Sequence, residues 1–217
     1  VWILDKANPL GNLELVLKRS ENHLYSIEDG GDYFYALSNY DDARNFKVMR
    51  LEKDDFQNIN NWEEVIEVRD THYIEDMLTF REFIVIQSRY DGIPIIEVFD
   101  FNKNSLNQIN MKDEVYDLGL VYNNDFDASF FRYSYSSLKT SPQILKYDLY
   151  ENNNNVIWKK QVNNFIDTDY EIKRIKTLAR DETNVPVSIV YKKGLNLKNA
   201  PMLIYGYGSY GINMDSG

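Results

Sequence analysis

Near the end of this 217-residue chain, Leu203 to Gly211 reads LIYGYGSYG and sets Gly206, Gly208 and Gly211 in a G-x-G-x-x-G spacing after an apolar run. Three kinds of site use glycines this way. A dinucleotide loop needs its third glycine to open a helix whose N-terminus holds the pyrophosphate, with an acid about 20 residues on. The residues that follow, INMDSG, supply neither. A nucleophile turn needs G-x-S-x-G, so that a serine sits on a strained strand-to-helix corner. Tyr207-Gly208-Ser209-Tyr210-Gly211 lacks the first glycine, which makes Ser209 a decoy. The third reading is a glycine-rich turn after a buried strand, with no chemistry of its own.

Other reactive side chains are scarce. Cysteine is absent, which removes disulfide and thiolate chemistry and fits a reducing compartment. The only histidines are His23 and His72, so a metal site built on several histidines is not expected and a histidine base would have to be one of these two. Both fall in repeat segments, ENHLYS and DTHYIED, and read as surface or turn residues. A net charge of -10 argues against a nucleic-acid surface, whose affinity comes from Lys and Arg on phosphates. It suits cationic substrates, and equally a plain soluble surface. No run approaches the roughly 18 apolar residues of a membrane span. The opening residues, VWILDKANPLGN, have neither a basic segment nor an apolar core of a leader. A cytoplasmic protein without membrane contact is expected.

The elements that would position such a loop are strands. Tyr (17 residues) and Phe (11 residues) are abundant and favour pleated sheet. Short strand signals recur between Asn, Asp, Gly and Ser clusters: LELVL, YFYALS, FKVMRL, EVIEV, EFIVIQS, IIEVFDF, SFFRYSY and QILKYDL. Only residues 55–67 hint at helix. Three segments line up as a repeat, beginning at Tyr33, Glu82 and Ser129, 49 and 47 residues apart. Each holds an aromatic-rich strand, a polar turn and a second strand ending in polar or acidic residues. A period in the forties with about four strands per unit is that of a β-propeller blade. The alignment puts Phe34, Phe83 and Phe130 at equivalent buried positions. Three units and a partial one over residues 1–18 do not close a ring, so the chain reads as a piece of a larger protein, cut at both ends.

Composition changes after ENNNNVIWKKQ, where Asn152 to Asn155 read as a hairpin tip. From Asp169, YEIKRIKTLARDETNVPVSIVYKKG gives two alternating strands around the turn Asp181–Asn184, and APMLIYGYG then runs apolar into the glycine loop. A boundary is expected near residues 162–170.

The residues VPVSIVYKKG…APMLIYGYGSYG closely resemble the start of the peptidase domain in the prolyl oligopeptidase family of serine peptidases, and most of all its oligopeptidase B (protease II) branch. The resemblance runs upstream through YDDARNFKVMRL and FRYSYSSLKTSPQILKYDL and covers in effect the whole chain. It implies the last blades of a seven-bladed β-propeller over residues 1–165, followed over 166–217 by the first strands of an α/β-hydrolase domain. It also implies a serine endopeptidase that cleaves short peptides after Lys or Arg, without metal or cofactor.

Residue by residue, the resemblance makes Tyr207 the donor whose hydroxyl completes an oxyanion hole, with Gly206 and Gly208 allowing close backbone approach beside the ring. It puts Tyr210 at the edge of the primary specificity pocket. Asp215 matches the first of two aspartates that hold a basic side chain, while Gly217 stands where the second would be. The family's nucleophilic serine, aspartate and histidine lie downstream of this loop, in that order. The chain alone is therefore expected to be inactive. Its partners would be short basic peptides and the remainder of its own polypeptide. The rival reading is a non-catalytic β-propeller interaction module or a truncated product without function.

Overall fold

The computed structural model describes residues 1–217, and strands dominate it. In chain order they are β1 (Trp2–Ile3), β2 (Glu14–Leu15), β3 (Tyr25–Asp29), β4 (Tyr33–Ser38), β5 (Lys47–Glu52), β6 (Glu63–Ile66), β7 (His72–Thr79) and β8 (Phe83–Tyr90). There follow β9 (Ile93–Asp100), β10 (Ser105–Gln108), β11 (Asp117–Leu120), β12 (Phe130–Ser137), β13 (Thr140–Asp148), β14 (Asn153–Lys159), β15 (Tyr170–Leu178) and β16 (Asn184–Lys192). Consecutive strands pair antiparallel into three four-stranded sheets, β3–β6, β7–β10 and β11–β14. Two small sheets flank them in sequence, β1–β2 and β15–β16. The expected repeat of four-stranded units is present, and the chain is all-β.

Turn chemistry explains the hairpins. Asp91 and Gly92 hold φ of 48° and 74° between β8 and β9, the paired positive values of a two-residue turn whose twist suits the flanking strands. The longer β4–β5 connection places Asp41, Asp42 and Phe46 at positive φ.

Contacts divide the chain into two compact units. The first contains residues 1–91, 95–109 and 123–128, and the second contains 92–94, 110–122 and 129–217. In the first unit both faces of the β3–β6 sheet are covered. Tyr35, Leu37 and Val48 join Ile74, Met77, Ile84 and Ile86 of the next sheet in one cluster. Ala36, Met49 and Leu51 face the other way and pack with Val16, Phe56 and Trp62. Burial on both faces accounts for the continuous apolar runs in β4 and β8, because strict alternation belongs to sheets with one wet face. In the second unit β12 does alternate: Phe131, Tyr133, Tyr135 and Ser137 are buried and the residues between them are half-exposed.

Three expectations need correction. Residues 55–67 form a single 3-10 turn at Ile59–Asn61 and then strand β6, because Trp62 and Ile66 are buried in the sheet's core. The asparagine run is a turn only up to Asn152, which takes φ 52°; Asn153 to Asn155 enter β14 and pair with Asp148, Tyr147 and Lys146 of β13. Phe34 is one position out of step. Tyr33 pairs with Glu52 as Phe130 pairs with Asp148, whereas Phe34 pairs with Leu51. Phe83 and Phe130 do correspond, since the carbonyls of Glu82 and Ser129 just before them accept the N–H of Phe101 and Leu149 just past the third strand. Of the three, only Phe83 is buried; it stacks on Phe80 at 4.3 Å.

Candidate functional site

Beyond β16 the backbone makes small turns, with Gly194 at φ 76° and Asn199 at φ 60°, and then runs from Pro201 to Gly208 without a strand partner. Leu203 is 91% exposed and Tyr205 79% exposed. The apolar run that the sequence reads as a strand is therefore extended but unpaired, because no neighbouring edge of this chain receives its backbone. At the tip, Ile212 donates its N–H to the Ser209 carbonyl at 3.1 Å, and Tyr210 and Gly211 take φ of 57° and 69°.

The loop carries its sequence-predicted residues in two different environments. Tyr207 is half-exposed and Tyr210 is almost fully exposed. A Cβ added at Gly206 or Gly208 would meet nothing within 4 Å, so no close backbone approach uses those glycines here. The tail, in contrast, is docked. Asp215 and Ser216 are half-buried, and a Cβ at Gly217 would come within 2.6 Å of Asp117 Cβ and Ser136 Oγ. Gly217 thus ends against β11 and β12, where a side chain has no room. The structure places Tyr207, Tyr210 and Asp215 on one loop without gathering them into a shielded pocket.

Elsewhere the reactive groups are engaged in structural roles. His23 Nε2 lies 3.0 Å from Ser38 Oγ, the spacing of a base and a nucleophile. Ser38 is fully buried, however, and its Oγ also accepts the Tyr40 N–H, so no substrate carbonyl can reach it. His72 opens β7, stacks on Tyr90 at 4.7 Å and approaches Thr71 Oγ1 through Nδ1. Neither histidine is a loose surface residue; both are half-buried.

Two buried carboxylates escaped the sequence reading. Glu97 accepts both outer guanidinium nitrogens of Arg69 at 2.7 Å and the Ser88 hydroxyl at 2.6 Å. Burial alone would raise its pKa, but these donors hold it below the usual range. Asp113 receives Tyr135, Ser137 and Thr140 hydroxyls, each at 2.9 Å, and lies 3.3 Å from Lys139 Nζ. Here too burial pushes the pKa up, while Ser137, Tyr135, Thr140 and Lys139 together bring it down. Burial raises the neighbouring Tyr116 to about 12. The sequence signal was slight: one of three acids in MKDEVYDL, 22 or more residues ahead of its partners. No group of three or more His, Cys, Asp or Glu side chains is arranged to hold a metal ion, and no helix is long and apolar enough to cross a membrane.

Repeated four-stranded antiparallel sheets of consecutive strands, buried on both faces where neighbours stack, define the class as a β-propeller domain. Residues 1–161 match the family model described as the prolyl oligopeptidase N-terminal beta-propeller domain, and the chain belongs to that family. It is 27% identical over 99% of its length to Protease 2 of Moraxella lacunata, and 28% identical over 96% to dipeptidyl aminopeptidase BI of Pseudoxanthomonas mexicana. It spans 31% and 29% of those proteins. Among solved structures, oligopeptidase B from Trypanosoma brucei with covalently bound antipain superposes with a TM-score of 0.85 at 28% identity, over 94% of this chain and 30% of that one. Oligopeptidase B from Leishmania major gives 0.87 at 23% identity, over 99% and 31%, which is a likeness of fold.

Proposed function

We propose that this chain is part of an oligopeptidase B-like serine endopeptidase that hydrolyses short peptides after Lys or Arg. The observation that carries the reading is the extent of similarity. Likeness to oligopeptidase B covers 94% of the chain, so it continues past residue 161, where the propeller match stops. On this reading residues 1–165 are the last propeller blades, and 166–217, with β15, β16 and the glycine loop, open an α/β-hydrolase domain. The propeller covers the active site and keeps folded proteins out.

The chemistry is acyl transfer by a Ser-His-Asp triad supplied from outside these residues. Attack on the scissile carbonyl puts negative charge on its oxygen. The Tyr207 hydroxyl donates to that charge, a contribution of roughly 2.7–4 kcal/mol to the barrier in well-studied holes. Tyr210 borders the pocket for the residue before the cut. Asp215 takes the basic side chain without a second carboxylate, since position 217 is glycine and is packed against β11 and β12. The setting is cytoplasmic, and no cofactor takes part.

The test is hydrolysis of chromogenic peptides ending in Arg or Lys. The isolated chain is expected to give no turnover, while the longer protein containing it gives turnover that serine-directed inhibitors abolish. Inhibitor-sensitive turnover by the isolated chain would sink the assignment. Failure of the longer protein on these peptides would favour the interaction-module reading.

A further inference from the structure

Residues 123–128 connect β11 to β12, yet they pack within the first unit while both strands belong to the second. The packing is specific. The Arg81 backbone N–H donates to the Phe126 carbonyl at 2.9 Å, its guanidinium lies 5.2 Å from the Phe126 ring centroid, and its Nε pairs with the Asp127 carboxylate. The same ring rests on Gly31, whose φ of +84° leaves that face bare; a Cβ there would sit 3.0 Å from Phe126 Cζ. Asp125 shapes the segment from within, its side chain accepting the Asp127 N–H and its carbonyl the Ala128 N–H. The turn that carries Gly31 and the one that carries Arg81 are themselves joined, because the Thr79 hydroxyl donates to the Asp29 carbonyl at 2.9 Å.

We propose that residues 123–128 are a releasable strap, keyed by Phe126 and locked across the turns at Gly31 and Arg81. The lock is weak by construction. Arg81 and Asp127 side chains are 62% and 66% exposed, and an ion pair so exposed contributes little and is screened by salt. A cation over this half-buried ring adds a similarly modest amount. Release need not disturb β11 or β12, which keep their own ladder of Asp117 to Leu120 against Ser136 to Tyr133. The strap therefore has a docked and a free state with the sheets intact in both.

The test is chymotrypsin cleavage of the full 217-residue chain under native conditions, following the bond after Phe126 by mass spectrometry. Arg81→Ala should speed that cut about fivefold, with Asp127→Asn, the milder variant, giving about twofold. Raising salt from 20 to 500 mM should speed the wild-type cut and leave Arg81→Ala unchanged. Cleavage elsewhere and the thermal midpoint should stay as in wild type. Equal rates after Phe126 in all three proteins would overturn the proposal, as would an acceleration shared by every cleavage site.

Discussion

The Tyr135 hydroxyl donates a 2.9 Å hydrogen bond to Asp113, which precedes it by 22 residues. Asp113 lies in the segment leading into β11, and Tyr135 lies in β12, so the contact pins the approach of a sheet to its second strand. The other two sheets repeat the device with different chemistry. His23, just before β3, meets Ser38 of β4; Arg69, just before β7, holds Glu97, which accepts from Ser88 of β8. Three unrelated residue types thus fasten equivalent places.

Removing Asp113 should be costly. Asp113→Ala strands three hydroxyl donors and a lysine, and should destabilise the chain by about 3 kcal/mol, read from urea midpoints at pH 7. Asp113→Asn should cost less, because an amide oxygen still accepts. The pH dependence has a definite sign. The folded carboxyl titrates below its ordinary value near 3.8, so its stabilisation is present above that value and is lost as pH falls through the lower, folded pKa. Asp113→Asn should flatten that acid limb.

The histidines should act in a higher window. Burial lowers the pKa of both His23 and His72, and the positive charge of Arg69 lowers His72 further against the pull of Glu97. The unfolded chain then takes up these protons first, so stability is full above about 6.5 and declines as pH falls from there through the folded values. His72→Phe keeps the stack on Tyr90 and removes the proton. Its denaturation midpoint should change less than wild type between pH 7.5 and 5.5, and NMR titration of the two imidazoles should give midpoints below 6.5.

Burial sets the ranking of the repeat phenylalanines. Phe83→Ala removes a ring that is 1% exposed and should cost about 3–5 kcal/mol. Phe34→Ala and Phe130→Ala remove half-buried rings and should cost about half as much each. Thermal melts of the three variants decide it; equal losses would refute the ranking by burial.

On the proposed assignment, Tyr207→Phe in the longer protein should lower kcat and kcat/KM together by about 100-fold, because the hydroxyl would act only once charge develops on the substrate oxygen. Ser209→Ala should be nearly silent. Steady-state kinetics that show the reverse would make Ser209 the nucleophile.

Strands with strong apolar or aromatic cores were legible in the sequence. β4, β5, β8, β9, β12 and β13 stand where their residues say, since these are the strands whose burial dictates composition. The first and last strands were harder. β7 breaks its alternation at Glu75, where the pairing register slips between Ile74 and Asp76. β14 is held by its ladder to β13 although asparagine is a poor strand former. The candidate loop was legible as a motif, but its surroundings were not. Whether a glycine flanks a packed ring depends on chain segments far from it, and here Gly206 and Gly208 face open space. Asp113 was invisible for the same reason: its partners are spread over β12 and the start of β13.

Each four-stranded sheet consists of neighbours in sequence, and this has a consequence for the order of assembly during synthesis. Closing a short loop costs little entropy, so β3 to β6 can pair soon after they leave the ribosome, ahead of the pairing of β7 to β10. The next sheet then has a finished surface on which to condense, through Ile74, Met77, Ile84 and Ile86. The contact between Arg81 and Asp127 spans 46 residues and must wait until the β11–β12 connection is made. Growth is therefore vectorial, with the first sheet templating the second and the Arg81–Asp127 fastening formed only after the β11–β12 connection has emerged.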